Sequence, residues 1–140
     1  MDTDQGFALL VEWIDGCRED KRRIYFVGNG ASASMASHFS TDLAKNAEVP
    51  TEVFTDCSLI TATGNDFGYE FIFSRQVDAL AREGDVLIAI STSGKSGNAI
   101  KAIESARAKR CKVVGLLGKG GGPMAPLCDV AVIVPAGDTQ

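Results

Sequence analysis

The chain is poor in the residues that build metal and redox centres. It has one histidine and four cysteines in 140 residues, and no Cys-x-x-Cys spacing. Cys17, Cys57, Cys111 and Cys128 are too scattered for a zinc ribbon or a disulfide framework, and they read as reduced thiols of a cytoplasmic protein. Cys57 follows a predicted strand near the expected site, where a small packing role is expected. Positive charge is also in deficit. A formal net charge of −4 without a basic stripe argues against direct binding of nucleic acid or an anionic membrane. Apolar runs stop at about six residues, against the roughly 20 needed to span a bilayer. The opening Met1-Asp2-Thr3-Asp4-Gln5 lacks the basic segment of a secretory signal. Nucleotide fingerprints are missing too. No Gly-x-x-x-x-Gly-Lys-Ser/Thr occurs, and Gly28-Asn29-Gly30 lacks the third glycine of the dinucleotide pattern, so no nucleotide cofactor is expected.

What is present is a regular alternation. Phe7, Leu10, Val11 and Ile14 recur at helical spacing and predict a short N-terminal helix over 4–17, followed by a charged, solvated loop at 18–23. Strands are expected at 24–27, 51–54, 86–91, 112–117 and 130–134, with helices at 32–46, 69–82 and 96–109. This order predicts one α/β domain over residues 1–140: a three-layer, doubly wound, five-stranded parallel sheet. The strands are almost continuously apolar, as strands covered on both faces must be. Residues 118–126, rich in glycine and proline, read as a loop or a lid.

Two strand-to-helix turns carry the chemistry. Strand 86–91 runs into Ser91-Thr92-Ser93-Gly94-Lys95-Ser96, and strand 24–27 runs into Gly28-Asn29-Gly30-Ala31-Ser32. The first N–H groups of a helix have no intrahelical acceptor, and the helix dipole favours an anion there. Ser91, Thr92, Ser93 and Ser96 add hydroxyl donors. One such turn is often only structural. Two in one domain point to a phosphorylated small molecule held between them, at the carboxyl ends of the strands. A third segment, Thr55 to Asp66, also leaves a strand end, and its Gly64-Asn65-Asp66 reads as a turn presenting two polar side chains.

Together these motifs resemble a known family. Gly28-Asn29-Gly30-Ala31-Ser32, His38-Phe39, Gly64-Asn65-Asp66-Phe67-Gly68, Phe73-Ser74-Arg75-Gln76-Val77, Gly84-Asp85-Val86-Leu87-Ile88 and Ile90-Ser91-Thr92-Ser93-Gly94 occur in the order found in the sugar isomerase (SIS) domain of phosphoheptose isomerases. The resemblance runs from about Ile24 to the last residue and implies a flavodoxin-like fold. It further implies aldose–ketose isomerisation of sedoheptulose 7-phosphate to D-glycero-D-manno-heptose 7-phosphate through an enediol. Phosphate contacts would fall on Ser91, Thr92, Ser93 and Ser96; sugar contacts on Asn29, Gly30 and Ala31, with Asn65 and Asp66 opposite. Catalysis would fall on His38 and Asp42, an i, i+4 pair on one helix, and these two would also be the metal ligands if zinc is bound. A homo-oligomer, a tetramer in the family, is implied as well.

The chain departs from the family pattern at two places. Asp42 stands where the family has a glutamate, shortening the reach by about 1.3–1.5 Å. The sequence ends at Asp138-Thr139-Gln140, where the family's C-terminal helix with a glutamine and a second catalytic histidine begins, so residues 1–140 are not expected to supply those groups. A non-catalytic phosphosugar-binding SIS domain, acting as a sensor or interaction module, is the alternative expectation.

Overall fold

The computed structural model describes residues 3–134. Chain order is α1 (Thr3–Asp20), β1 (Ile24–Val27), α2 (Ala31–Ala47), β2 (Thr51–Val53), α3 (Cys57–Phe67), a 3-10 turn (Tyr69–Phe71), α4 (Ser74–Leu80), β3 (Val86–Ser91), α5 (Gly97–Ala108), β4 (Lys112–Leu117), a string of tight turns (Lys119–Leu127) and β5 (Val130–Ile133). All strand pairs are parallel, in the order β2-β1-β3-β4-β5. This is the expected five-stranded, doubly wound sheet. Residues 135–140, where the family's C-terminal helix would begin, lie outside the described residues.

Alternation along the strands divides the core into two layers. Ile24, Phe26, Val86, Ile88, Ile90 and Val114 face α1 and α2, where Leu10, Cys17 and Ala36 meet them. Tyr25, Val27, Leu87, Ala89 and Val113 face the other way, onto Ile72, Phe73 and Val77 and onto Ala99, Ala102, Ile103 and Ala106 of α5. The small residues on the inner side of α5 let that helix lie close to the sheet.

Several local expectations are corrected. The first helix extends to Asp20, so Arg18-Glu19-Asp20 is helical rather than loop, and Arg18 pairs with Asp15 at 3.0 Å one turn back. Residues 57–67 form a helix, not a turn; Asp56 starts it by accepting from the Leu59 N–H at 3.1 Å. Cys57 is therefore the exposed first residue of α3 and not a buried packing residue. The predicted helix 69–82 is split. Ile72 and Phe73 turn inward between the 3-10 turn and α4, and the Gln76 side chain donates to the Ile72 carbonyl at 2.9 Å across the break. Residues 118–126 are no lid, because Met124 is fully buried and its N–H donates to the Gly94 carbonyl at 3.1 Å.

At the amino ends of the strands the buried carboxylate of Asp85 accepts the N–H groups of Arg23 and Arg82 at 3.0 and 2.9 Å. It clamps the approach to β1 onto the approach to β3. The cavity beside it, about 520 Å³, has a basic rim, but Arg22 and Lys109 there are tied to the carbonyls of Glu83 and Ala81. Among the described residues, no helix is long and apolar enough to cross a membrane.

Burial pushes the thiols of Cys17, Cys111 and Cys128 up to about 11, with the nearby carboxylates of Asp85 or Asp129 adding to the effect. Burial, then Asp85, pushes the Tyr25 phenol up to about 12. As pH rises, the unfolded chain loses these protons first. It then binds fewer protons than the native state, so stability falls with pH from about 9 to about 12. Denaturant midpoints measured across that range are expected to drop steadily, and a thiol reagent at pH 8 is expected to titrate Cys57 alone until the chain unfolds.

Candidate functional site

β1 and β3 are neighbours, with Val27 paired to Ala89. The helices that follow them leave to opposite faces, α2 into one core layer and α5 into the other. This is the switch point of a doubly wound sheet, where two helix N-termini face a common crevice. Neither end is closed from within. Gly30 at the start of α2 and Ser96 at the start of α5 make no side-chain capping bond. The Ser32 N–H is taken by the Asn29 carbonyl at 2.9 Å, but no side chain caps the other first-turn N–H groups of either helix, and both dipoles favour an anion.

A cavity of about 190 Å³ lies there, lined by Asn29, Ser32, Ile90, Ser91, Thr92, Ser93 and Ser96. Its size suits a phosphate group and the first carbons attached to it. The serine turn holds itself in shape: the Ser91 hydroxyl accepts the Gly94 N–H at 3.0 Å and lies 3.1 Å from the Ser96 hydroxyl, while Ser93 accepts the Lys95 N–H at 3.1 Å. Ser93 is used as an acceptor and keeps its proton for a ligand, whereas the bond between Ser91 and Ser96 spends the proton of one of them and leaves the other's. A second, mainly apolar cavity of about 230 Å³ continues from the first, sharing Ser32, Ile90, Ser91 and Thr92 and extending to Met35, Leu116 and Val134.

Gly94 is the residue on which this turn depends. Its φ is 68°, and a Cβ there would overlap the carbonyl of Gly121 in the turn segment beneath. Gly28 has a related constraint, since a Cβ would sit 2.8 Å from the Ser32 backbone and block the entry into α2.

The predicted site residues fall into three groups. Asn29, Ser91, Thr92, Ser93 and Ser96 line the cavity, with Gly30 and Ala31 at the start of α2 beside it. Asn65 and Asp66 do not line it. Because residues 57–67 are helical, the two side chains sit exposed on the last turn of α3, with the Asn65 amide donating to Asp66 at 3.0 Å. His38 and Asp42 form a pair at 3.4 Å on α2, exposed to 81% and 52%. They stand about 10 and 16 Å along the helix from its N-terminus, by its rise per residue.

Zinc needs three protein ligands and an open position in a catalytic site. His38 and Asp42 offer two, and no third histidine, cysteine or carboxylate joins them among the described residues. The described chain alone does not complete a zinc site.

Sequence reasoning passed over Ser32, Tyr69 and Asn98. The Asn98 and Asn29 carboxamides exchange two hydrogen bonds, at 2.8 and 2.9 Å, and the Tyr69 hydroxyl donates to Asn29 Oδ1 at 2.9 Å. The signal for Asn98 was available. A buried asparagine in the first turn of α5, directly after the serine turn, has polar atoms that must find partners.

A parallel sheet with two helix N-termini at its switch point is a doubly wound α/β ligand-binding architecture, and within that class the SIS domain pattern matches residues 2–118. At the level of whole chains the likeness is closer. The protein is 46% identical to phosphoheptose isomerase 1 of Campylobacter jejuni, covering 94% of this chain and 74% of the relative. It is 44% identical to the phosphoheptose isomerase of Nitratiruptor, covering 86% and 68%. The solved structure of the Neisseria gonorrhoeae phosphoheptose isomerase superposes with a TM-score of 0.91 at 38% identity, covering 98% of this chain and 77% of that one. The chain belongs to the phosphoheptose isomerase family of SIS-domain proteins.

Replacing Gly94 by alanine is expected to destabilise the fold by roughly 2–4 kcal/mol, from the strained φ and the clash with Gly121, read as a lowered denaturant midpoint. Ser93→Ala keeps the fold and is expected to weaken phosphosugar binding about 5-fold in calorimetric titration, the worth of one hydrogen bond.

Proposed function

We propose that the chain isomerises sedoheptulose 7-phosphate to D-glycero-D-manno-heptose 7-phosphate, in the cytoplasm and as a homo-oligomer. The observation that carries this reading is the cavity at the β1/β3 switch point, where both helix N-termini and five serine and threonine residues border one small volume. Membership of an isomerase family supports turnover over mere binding.

The phosphate docks in the serine turn, and the sugar chain runs toward α2. An extended heptulose places its reacting C1 and C2 about 9 Å from phosphorus, from ordinary bond lengths. That distance matches the level of His38 along α2. Isomerisation requires a proton to leave C1 as the C2 carbonyl oxygen gains one, giving an enediol. A proton then returns to C2 while the C1 oxygen gives one up, leaving the aldose. Asp42 is assigned the carbon-bound proton and His38 the oxygen-bound protons. Their 3.4 Å separation lets the two share the work. No step is assigned to zinc.

A pair as exposed as His38 and Asp42 cannot exclude water from a reacting carbon. A second copy of the chain packed on this face of α2 would supply the missing wall. Oligomerisation is therefore part of the catalytic reading.

Asp42→Asn is expected to lower turnover of sedoheptulose 7-phosphate at least 100-fold, in the range of a lost general base, while the ligand-induced rise in melting temperature persists. Aldose formation at the wild-type rate in this variant would place the base elsewhere. Light scattering of the wild-type protein is expected to give a multiple of the chain mass.

A further inference from the structure

Asn29 is held more tightly than a ligand-binding side chain needs to be for stability. Its Oδ1 accepts two hydrogen bonds, from Asn98 Nδ2 at 2.9 Å and from the Tyr69 hydroxyl at 2.9 Å. Its Nδ2 spends one N–H on Asn98 Oδ1 at 2.8 Å. An amide nitrogen carries two N–H groups and an amide oxygen two lone pairs. The account closes with one N–H left over, on a side chain that lines the phosphate cavity.

The two partners are held in different ways. Asn98 is 4% exposed in the first turn of α5, fixed by its helix. Tyr69 is 62% exposed in the 3-10 turn after Gly68, so its ring gains little from burial. What defines its place is the hydroxyl bond to Asn29, made across 40 residues of sequence. A tyrosine used for packing would bury its ring; this one reaches in with its polar end. The terminal torsion of an asparagine is soft; Asn98 engages both ends of the Asn29 carboxamide, and the Tyr69 hydroxyl fills the second lone pair of its oxygen, so it is held from two sides.

We propose that Tyr69 and Asn98 are positioning residues for the isomerisation, locking the Asn29 carboxamide so that its remaining N–H meets a sugar oxygen next to the docked phosphate. The proposal rests on the isomerase reading above and adds to it the device that orients the sugar. Neither residue needs to touch the substrate. Each acts through Asn29, so removing the Tyr69 hydroxyl costs orientation and leaves the fold intact, given how exposed the ring is.

The test is a double-mutant cycle on Tyr69→Phe and Asn29→Ala, with kcat and KM for sedoheptulose 7-phosphate, melting temperature, and side-chain amide spectra of the ligand-free protein. Tyr69→Phe is expected to lower kcat/KM about 5- to 20-fold, for one lost orienting hydrogen bond, with Tm moved by less than about 2 °C. In the Asn29→Ala background the same change is expected to have less than about a 2-fold effect, because nothing is left to position. The Asn29 and Asn98 side-chain amide resonances are expected to shift in Tyr69→Phe without any ligand. An unchanged kcat/KM, an equal loss in both backgrounds, or unmoved amide resonances would overturn the proposal. Failure of the isomerase reading looks different: the wild-type protein would not convert the heptulose phosphate, and the amide spectra would still decide whether Tyr69 holds Asn29.

Discussion

The pairing of β1 with β3 is the constraint from which the site follows. The two strands are adjacent and parallel, yet the helices after them go to opposite faces of the sheet. Right-handed crossovers permit this at a single place, where the strand order reverses. There the chain brings two helix N-termini within the width of one small ligand. Nothing in either turn alone achieves this. The serine hydroxyls refine an anion site whose position was already set by topology.

Holding that pairing in place takes support from below and above. Asp85 joins the starts of both strands by accepting from Arg23 and Arg82, and its burial makes those bonds worth more than they would be at the surface. At the other end the turn segment Lys119–Leu127 packs beneath the cradle, with Gly121 against Gly94 and the Met124 N–H on the Gly94 carbonyl. The flexible composition of that segment has a simple cause. Gly120, Gly121 and Gly122 all adopt positive φ to fold the chain tightly under the serine turn. Glycine serves geometry here and not motion.

Most of the fold was legible from periodicity. Strands 24–27, 86–91 and 112–117 match the structure to the residue, because parallel strands buried along most of their length leave long apolar runs. The serine turn was legible as a strand-to-helix turn, and the presence of a second such turn in the same domain drew attention to the crevice between them. What failed were the segments governed by tertiary contacts. Residues 57–67 contain Thr61, Thr63, Gly64 and Asn65, poor helix formers, yet they are helical because Asp56 caps the start and Ile60 packs on the core. Asn65 and Asp66 consequently sit exposed on the last turn of a helix and not in a loop. Tyr69 was invisible as a site residue because its role depends on reaching an asparagine far along the chain. The positions of His38 and Asp42 were readable as a helical pair, but their exposure was not, since it depends on what covers α2.

The phosphate cradle is the central claim, and a crystal structure of the protein with sedoheptulose 7-phosphate tests it most directly. The phosphorus is expected between the starts of α2 and α5, its oxygens within hydrogen-bond distance of the turn Ser91–Ser96, and the sugar beside Asn29. Phosphate density in the basic-rimmed cavity near Arg23 and Arg82 at the opposite end of the sheet, with the serine turn empty, would contradict it.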